Sequence, residues 1–235
     1  PPTQKRRYMD LTNSQLDNSY LRALQRYSRV LIQRNHLLRL IRDGTSRQEE
    51  LIFWDNQLIE DGCYILLQRR NVIAKLADLA RIAYSELSGE SETMDLVYTP
   101  NISDPIDGYG LDLFATREVF RSQLKENLER EISQGITITG PHRDDLLFMV
   151  DNKNMGVYGS RGQQRTVAAA LKFAEANLIV KQTGQTPVLL FDDILSELDK
   201  TRRERILSST SSNQQTLFTT TDIDRMDDKF LSTSS

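Results

Sequence analysis

The chain of 235 residues is poor in the side chains that build metal centres and cross-links. It has one cysteine, Cys63, and two histidines, His36 and His142. A single cysteine excludes an internal disulfide and a zinc site built on cysteine pairs. Two histidines exclude a multi-histidine metal site.

Long apolar runs are missing as well. None approaches the roughly 20 residues that a membrane helix needs, which excludes an integral membrane protein. No charged-then-apolar leader opens the chain, so we expect a cytoplasmic protein. The net charge of −3 argues against wholesale coating of nucleic acid but leaves room for a local basic face. Because the chain begins at Pro1 without a methionine, and ends soon after a strand-like segment, we expect a piece of a longer protein.

The beginning of the chain is predicted to be helical. Apolar residues recur at spacings of three, four and seven over 14–42. Ser14, Asp17 and Asn18 are candidate N-caps, and Gly44 is a stop signal.

A second and longer periodic segment covers 46–88. Two adjacent apolar rows, one starting at Leu51 and one at Ile52, keep a strict seven-residue step. A strict seven-residue repeat does not match the 3.6 residues per turn of a straight helix, so the apolar rows stay on one face only if the helix supercoils. We therefore expect this helix to supercoil around the first one as an antiparallel coiled hairpin. Gly62 is a weak point in this helix.

The rest of the chain has an α/β pattern. The strand-like segments are 94–99, 135–140, 146–150, 187–191 and 216–220, and the helical segments are 114–130, 162–181 and about 200–209. The continuous apolar run at 187–191 is typical of a strand that is covered on both faces. With the helix and strand that follow, it predicts a right-handed parallel crossover unit. We therefore expect a helical domain over 1–92 and an α/β domain over 93–235.

Two acids follow this apolar strand directly. Asp192 and Asp193 would lie at its carboxyl end, where ligands of open parallel sheets bind. In nucleoside-triphosphate hydrolases the first such acid holds Mg²⁺ and the second can act as base toward the attacking water. The alternative is a pair of solvated acids at a strand end.

A glycine-flanked turn opens the helix at 162–181. Its backbone N–H groups and the positive end of the helix dipole would form an anion cradle suited to phosphate. Ser160 adds a hydroxyl and Arg161 a charge. The alternative is an ordinary serine N-cap beside a glycine turn.

In this order and spacing the segments resemble the C-terminal half of an ABC-type ATPase head, and more closely the RecF family of DNA replication and repair proteins. The family's characteristic segments appear as GPHRDDL at 140–146, YGSRGQQRT at 158–166, LFDDILSELD at 190–199 and TTTD at 219–222. The resemblance runs from about residue 5 to residue 230. The fold class that it implies is α/β with a large helical part.

The resemblance implies an ATP-dependent homodimer in which each ATP lies between two protomers. The nucleotide-binding residues would be Ser160, Arg161, Gly162, Gln163 and Asp199, with Asp192 holding Mg²⁺ and Asp193 orienting or deprotonating water. The resemblance also implies DNA as a partner, at gaps or single-/double-strand junctions, together with RecO and RecR in DNA repair.

Two departures from the family pattern matter. The strand at 216–220 is not followed by the switch histidine usual in ABC heads. No glycine is followed by lysine, so the Walker A loop is absent, and the family carries that loop before the region covered here. We therefore expect that this chain alone neither binds ATP tightly nor hydrolyses it.

Basic residues concentrate at the beginning of the chain. The first 48 residues hold ten Lys or Arg against three Asp. Arg22, Arg26 and Arg29 share one helix face, which could bind DNA phosphates without reading sequence. The alternative is the solvated face of a helical hairpin.

Two further interpretations stay open. The chain could be a non-catalytic DNA-binding or dimerisation module in which the ATPase motifs are only structural. A head of another SMC-like protein is disfavoured, because those proteins have far longer coiled arms. The residues predict no role for the segment 142–145, for which a hydrogen-bonded turn with an Arg–Asp pair is as good an interpretation as a ligand contact.

Overall fold

The computed structural model describes residues 1–89, 92–102, 112–195, 198–210 and 215–219. Its helices are α1 (Pro2–Leu16), α2 (Asn18–Arg42), α3 (Leu51–Ser88), α4 (Leu113–Gln134), α5 (Met155–Tyr158), α6 (Arg161–Thr183) and α7 (Lys200–Ser209). Its strands are β1 (Met94–Thr99), β2 (Asp145–Val150), β3 (Lys153–Asn154), β4 (Leu189–Asp192) and β5 (Thr216–Thr219), and single 3₁₀ turns cover Gln48–Glu50 and Pro141–Arg143. Among these helices, none is long and apolar enough to span a bilayer.

The chain forms two compact units. The first contains residues 1–73 and 98–146, and the second contains residues 74–97 and 147–235. This division differs from the boundary expected at residue 92, because the single helix α3 contributes to both units.

The helix expected over 14–42 is in fact two helices that meet at Asp17. This residue has extended backbone angles (φ −145°, ψ 110°), and its carboxylate accepts a hydrogen bond of 2.7 Å from the Ser19 amide. Asp17 is therefore the N-cap of α2. The preceding helix α1 was not predicted, because its polar and basic sequence has only a few apolar positions. At the other end, Gly44 has φ +74° and follows the last turn of α2, as the stop signal predicted.

The seven-residue rows of α3 form a largely buried stripe, as predicted. Leu51, Leu58 and Ile65 are buried, whereas Ile52 at the start of the second row is 61% exposed. In the first unit the stripe packs with buried residues of α2 and α4 in one core. Gly62 lies at this contact, since a Cβ there would approach the Phe120 ring to 2.6 Å. The glycine costs helix propensity and permits the close packing.

The strand expected at 135–140 does not form. Its backbone amides donate to side chains instead: Thr137 to Asn35 Oδ1 at 2.7 Å, and Ile138 to Glu131 Oε1 at 2.8 Å. Glu131 is fully buried and also binds the guanidinium of buried Arg34 at 2.6 Å. β-branched residues predicted a strand here, but these distant acceptors satisfy the amides in an irregular segment.

The segment 142–145 belongs to a buried polar network of the first unit. Asp144 is fully buried and accepts hydrogen bonds from Arg69 at 2.7 Å and from the Tyr98 hydroxyl. His142 contacts the Tyr27 hydroxyl through Nδ1 at 2.7 Å and the Thr137 carbonyl through Nε2 at 3.0 Å. Burial lowers the pKa of His142 to about 4. The structure shows the hydrogen-bonded turn expected as one interpretation of this segment, although the arginine partner of Asp144 is Arg69.

The second unit contains the predicted parallel pair β4 and β5. Asp192 is in register with Thr219. Phe191 of β4 packs on Phe173 of α6, with ring centroids 5.4 Å apart. The expectation that β4 is covered on both faces is wrong for the described residues, because its burial alternates and Leu190 is 65% exposed.

Candidate nucleotide-binding site

The turn at Ser160 begins helix α6. The Ser160 hydroxyl accepts from the Gln163 amide at 3.2 Å, and the Gln163 side chain accepts from the Ser160 amide at 3.1 Å. This reciprocal capping box is the N-cap that the sequence offered as one interpretation. Both Ser160 and Arg161 are exposed, so the positive end of α6 is accessible to an anion.

Three contacts hold the backbone before this turn. Asn154 caps the short helix α5 by accepting from the Gly156 amide at 2.9 Å. The Gln164 amide group donates to the carbonyls of Met155 at 2.9 Å and Gly159 at 3.2 Å. A Cβ on Gly159 would lie 2.6 Å from the Met155 oxygen, so only glycine fits there. The glycine is therefore required by close approach and not by a positive φ.

Glu92 is a residue of this region that the sequence reasoning missed. Its carboxylate accepts from the Gln163 side chain at 2.8 Å and from the Tyr84 hydroxyl at 2.8 Å, and it lies 3.7 Å from Arg202 of α7. Burial, followed by the bond to Glu92, raises the pKa of the Tyr84 hydroxyl. No sequence signal could reveal Glu92, because its partners are distant along the chain.

The two acids lie at the carboxyl end of β4, as predicted. The Thr219 hydroxyl of β5 donates to Asp192 Oδ1 at 2.5 Å and accepts from the Asp193 amide at 3.0 Å. Asp193 has φ +49°, which is rare for a residue other than glycine. The Arg165 guanidinium of α6 donates to the Asp193 carbonyl and lies 3.8 Å from its carboxylate. Thr219 and Arg165 therefore hold the acid pair from two sides.

An open cleft of about 410 Å³ joins some of the predicted residues. Arg161, Gln164, Arg165 and Asp192 line it, together with Ala168 and Ile194. Ser160, Gly162, Gln163, Asp193 and Asp199 are not part of its lining. The structure thus brings Arg161 and Asp192 to one cleft within the second unit.

The donor set fits a magnesium ion that is bound mainly by other ligands. Among the described residues, no group of three or more His, Cys, Asp or Glu side chains could hold a metal. Mg²⁺ at phosphate sites commonly takes one or two carboxylates together with waters and phosphate oxygens. Asp192 is exposed and uses one carboxylate oxygen for Thr219, so it fits as a single carboxylate ligand of this kind.

Asp199 is the N-cap of α7. Its carboxylate accepts from the Arg202 amide at 2.8 Å and lies 3.6 Å from the Arg202 guanidinium. Its side chain is 61% exposed and so remains accessible. Ser196 and Glu197 of the same loop, and Thr220 to Asp222 after β5, lie outside the described residues.

The three arginines considered for DNA binding have different surroundings on α2. Arg26 forms a two-point ion pair with buried Asp61, with a shortest distance of 2.6 Å. Arg22 donates to the Ser19 hydroxyl at 3.2 Å, and Arg29 is exposed. Another basic residue of the first 48, Arg34, is fully buried and cannot belong to a basic surface. The basic face is therefore weaker than the sequence count indicated.

The sequence and the fold are similar to those of known proteins. No family model matches the chain. It is 43% identical over 236 residues to the DNA replication and repair protein RecF of Herpetosiphon aurantiacus, covering 98% of the chain and 58% of that relative. It is 39% identical over 232 residues to RecF of Bacillus cereus strain B4264, covering 98% of the chain and 61% of the relative.

Two solved structures have a similar fold. The recombination mediator protein RecF-ATPrS of the RecFOR pathway superposes with a TM-score of 0.82 and 31% identity. RecF-ATP of the same pathway superposes with a TM-score of 0.83 and 30% identity. Each match covers 94% of this chain and 58% of the other, so the chain spans about three fifths of the length of its relatives. The predicted fold class, a large helical part with part of an ABC-type ATPase head, is confirmed, and over nearly its whole length the chain is similar to RecF proteins.

Proposed function

We propose that the chain supplies one part of a composite ATP site in a dimeric ATPase of DNA replication and repair. The turn at Ser160 would receive the γ-phosphate of a nucleotide held by a second copy, and Asp192 and Asp193 would serve the nucleotide of their own protomer. The observation that carries this proposal is that the chain has both an exposed helix start at Ser160 and, at the end of β4, an acid pair of exposed Asp192 and half-buried Asp193. The similarity to RecF-ATP supports the assignment of the ligand.

The chemistry of ATP hydrolysis explains why such groups are needed. Charge must be neutralised on the phosphate that is transferred, and a water must be placed in line with it. The N–H groups and dipole of α6, with Arg161, supply positive potential. Mg²⁺, when bound, neutralises phosphate charge, and Asp192 would hold it. Asp193 would orient the water and accept its proton.

Division of these groups between two copies makes dimerisation a condition of turnover. The chain has no Gly-Lys pair and therefore no Walker A loop of its own. Robust ATP hydrolysis by the purified 235-residue chain, abolished by Asp193→Asn, would contradict this part of the proposal. By the same similarity, RecO and RecR are the proposed protein partners.

The direct test joins the chain to the amino-terminal segment of the Herpetosiphon relative. We expect this joined protein to form dimers in Mg²⁺ and ATP, measured by light scattering after gel filtration, and to be monomeric without nucleotide. Ser160→Arg should abolish the dimers, because the larger side chain fills the position of the phosphate. Ser208→Arg, on the exposed face of α7, is the matched control and should have no effect. A joined protein that stays monomeric, or dimers that survive Ser160→Arg, would refute the proposal.

DNA binding by α2 is a second part of the proposal. Arg22 and Arg29 are the exposed arginines of the stripe that are not paired with a buried acid. We expect Arg22→Glu with Arg29→Glu to weaken duplex binding and to lower the slope of log K against log salt by about 2, roughly one per lost phosphate contact. Lys181→Glu with Lys200→Glu makes the same charge change elsewhere on the surface and should have little effect. Unchanged affinity and slope in the arginine variant would show that this helix face is solvated and does not bind DNA.

A further inference from the structure

Thr219 occupies the position on β5 directly beside the acid pair. β4 and β5 are parallel, and Thr219 is the register partner of Asp192. Its hydroxyl makes two hydrogen bonds: it donates to Asp192 Oδ1 at 2.5 Å and accepts from the Asp193 amide at 3.0 Å. One side chain thus contacts both acids, and it does so at the edge of the sheet where ligands bind.

We propose that Thr219 is a positioning residue of the ATPase site, which fixes the carboxylate of Asp192 for Mg²⁺ and the backbone of Asp193 for water. This inference rests on the proposed function. The hydroxyl has one proton to donate and oxygen lone pairs to accept, so it can satisfy both acids at once. Valine has the same shape and neither capacity, whereas serine has both.

The state of Asp192 explains why such a partner is needed. Asp192 is exposed, so packing against the described part of the chain does little to limit its side-chain rotamer. A hydrogen bond to Oδ1 selects one orientation of the carboxylate and leaves the second oxygen for a metal ion. Partners that orient a metal ligand in this way commonly change metal affinity by 10- to 100-fold when they are removed.

The state of Asp193 supports the same role. Its left-handed backbone (φ +49°) is uncommon for a residue other than glycine, although aspartate tolerates it better than most residues. The Asp193 amide donates to both the hydroxyl and the carbonyl of Thr219, at 3.0 Å and 3.3 Å. On the other side, Arg165 holds the Asp193 carbonyl. Thr219 therefore acts on the direction of the second acid as well as the first.

The test compares Thr219→Val with Thr219→Ser in the joined protein described above. Binding of Mn²⁺ to the ATP-loaded protein, followed by electron paramagnetic resonance, and its competition by Mg²⁺ give the metal affinity without turnover. We expect Thr219→Val to lower the Mg²⁺ affinity and kcat by about tenfold, with little change in the affinity for metal-free ATP. Thr219→Ser should restore both. Thr216→Val removes the hydroxyl at the other end of β5, opposite Leu189, and should leave the metal affinity unchanged.

A second measurement uses the 235-residue chain itself. The amide of Asp193 should exchange with solvent faster in Thr219→Val than in wild type, and Thr219→Ser should return it toward the wild-type rate. Unchanged exchange in Thr219→Val would refute the hydroxyl contact.

The outcomes separate this inference from the proposed function. If the wild-type joined protein binds Mg²⁺ and ATP and Thr219→Val binds them equally well, the positioning role is refuted while the proposed function stands. If Thr219→Ser loses metal affinity as Thr219→Val does, side-chain shape and not the hydroxyl is responsible, and the role is again refuted. If the wild-type joined protein binds no metal–nucleotide complex, the proposed function fails, and the role of Thr219 at the metal fails with it.

Discussion

The buried histidine predicts a defined loss of stability in weak acid. The pKa of His142 is lowered to about 4 by burial, from a model-peptide value of 6.5. The folded state therefore keeps His142 neutral between these two values, whereas the unfolded chain takes up a proton. A group with a lowered folded-state pKa stabilises the fold above pH 6.5, and this contribution is lost as the pH falls toward 4.

The size of the effect follows from the shift. One pKa unit corresponds to about 1.4 kcal/mol, so the full loss approaches 3 kcal/mol near pH 4. At pH 5 the expected loss of unfolding free energy from this residue is about 2 kcal/mol. Buried Asp144 has a pKa raised by burial and contributes with the opposite sign, since the folded state then binds a proton more readily. A comparison between proteins that both keep Asp144 removes that contribution.

The assay is urea unfolding of wild type and His142→Gln at pH 7 and pH 5. The wild type should lose about 2 kcal/mol more than the variant over this interval, because glutamine does not titrate. His36→Gln is the matched control, since His36 is exposed on α2 and is the other histidine of the chain. Equal losses in wild type and His142→Gln would refute a buried neutral histidine.

Two further substitutions test the local packing. Glu131→Gln should destabilise the protein by about 1.5–3 kcal/mol in urea unfolding at pH 7, because it leaves Asp55, at 2.6 Å, as the remaining carboxylate partner of fully buried Arg34; a loss below about 1 kcal/mol would refute a buried ion pair. Gly159→Ala should accelerate amide exchange in α5, because its Cβ would lie 2.6 Å from the Met155 oxygen. Gly156→Ala, which meets only the Asn154 side chain at 3.2 Å, should not, and equal exchange in the two variants would contradict the close approach.

Periodicity predicted the elements that lie on a single buried face. The seven-residue rows of α3 and the apolar pattern of α6 depend only on the local repeat, and α7 follows a clear N-cap at Asp199. The turn after β2 also depends on local residues, since Asp151 and Asn152 have the positive φ values that such residues tolerate.

The failures occur where distant residues decide the local structure. The segment 135–140 has strand-like composition, but the side chains of Asn35 and Glu131 take its amides. The sequence counted Arg34 and Arg26 among the basic residues of a helix surface. The structure pairs Arg34 with buried Glu131 and Arg26 with buried Asp61. The apolar run of β4 predicted two covered faces, and the described residues cover one.

In the candidate site, too, local features could be predicted and distant contacts could not. The sequence predicted that Ser160, Asp192 and Asp193 lie at the ends of elements, because motif order and element ends are local signals. The contacts that orient them could not be predicted. Glu92 binds Gln163, the capping partner of Ser160, and Arg165 binds Asp193, through pairs that are separated by 71 and 28 positions.

The most direct test of the account is complementation between two inactive joined proteins. One carries Ser160→Arg and the other carries Asp193→Asn, and neither should hydrolyse ATP alone. If each site takes the Ser160 turn from one protomer and Asp193 from the other, an equal mixture should recover part of the wild-type activity, since a mixed dimer keeps one of its two sites intact. A mixture that stays inactive while mixed dimers form would show that the Ser160 turn and Asp193 do not serve one site from opposite protomers, which would contradict the account.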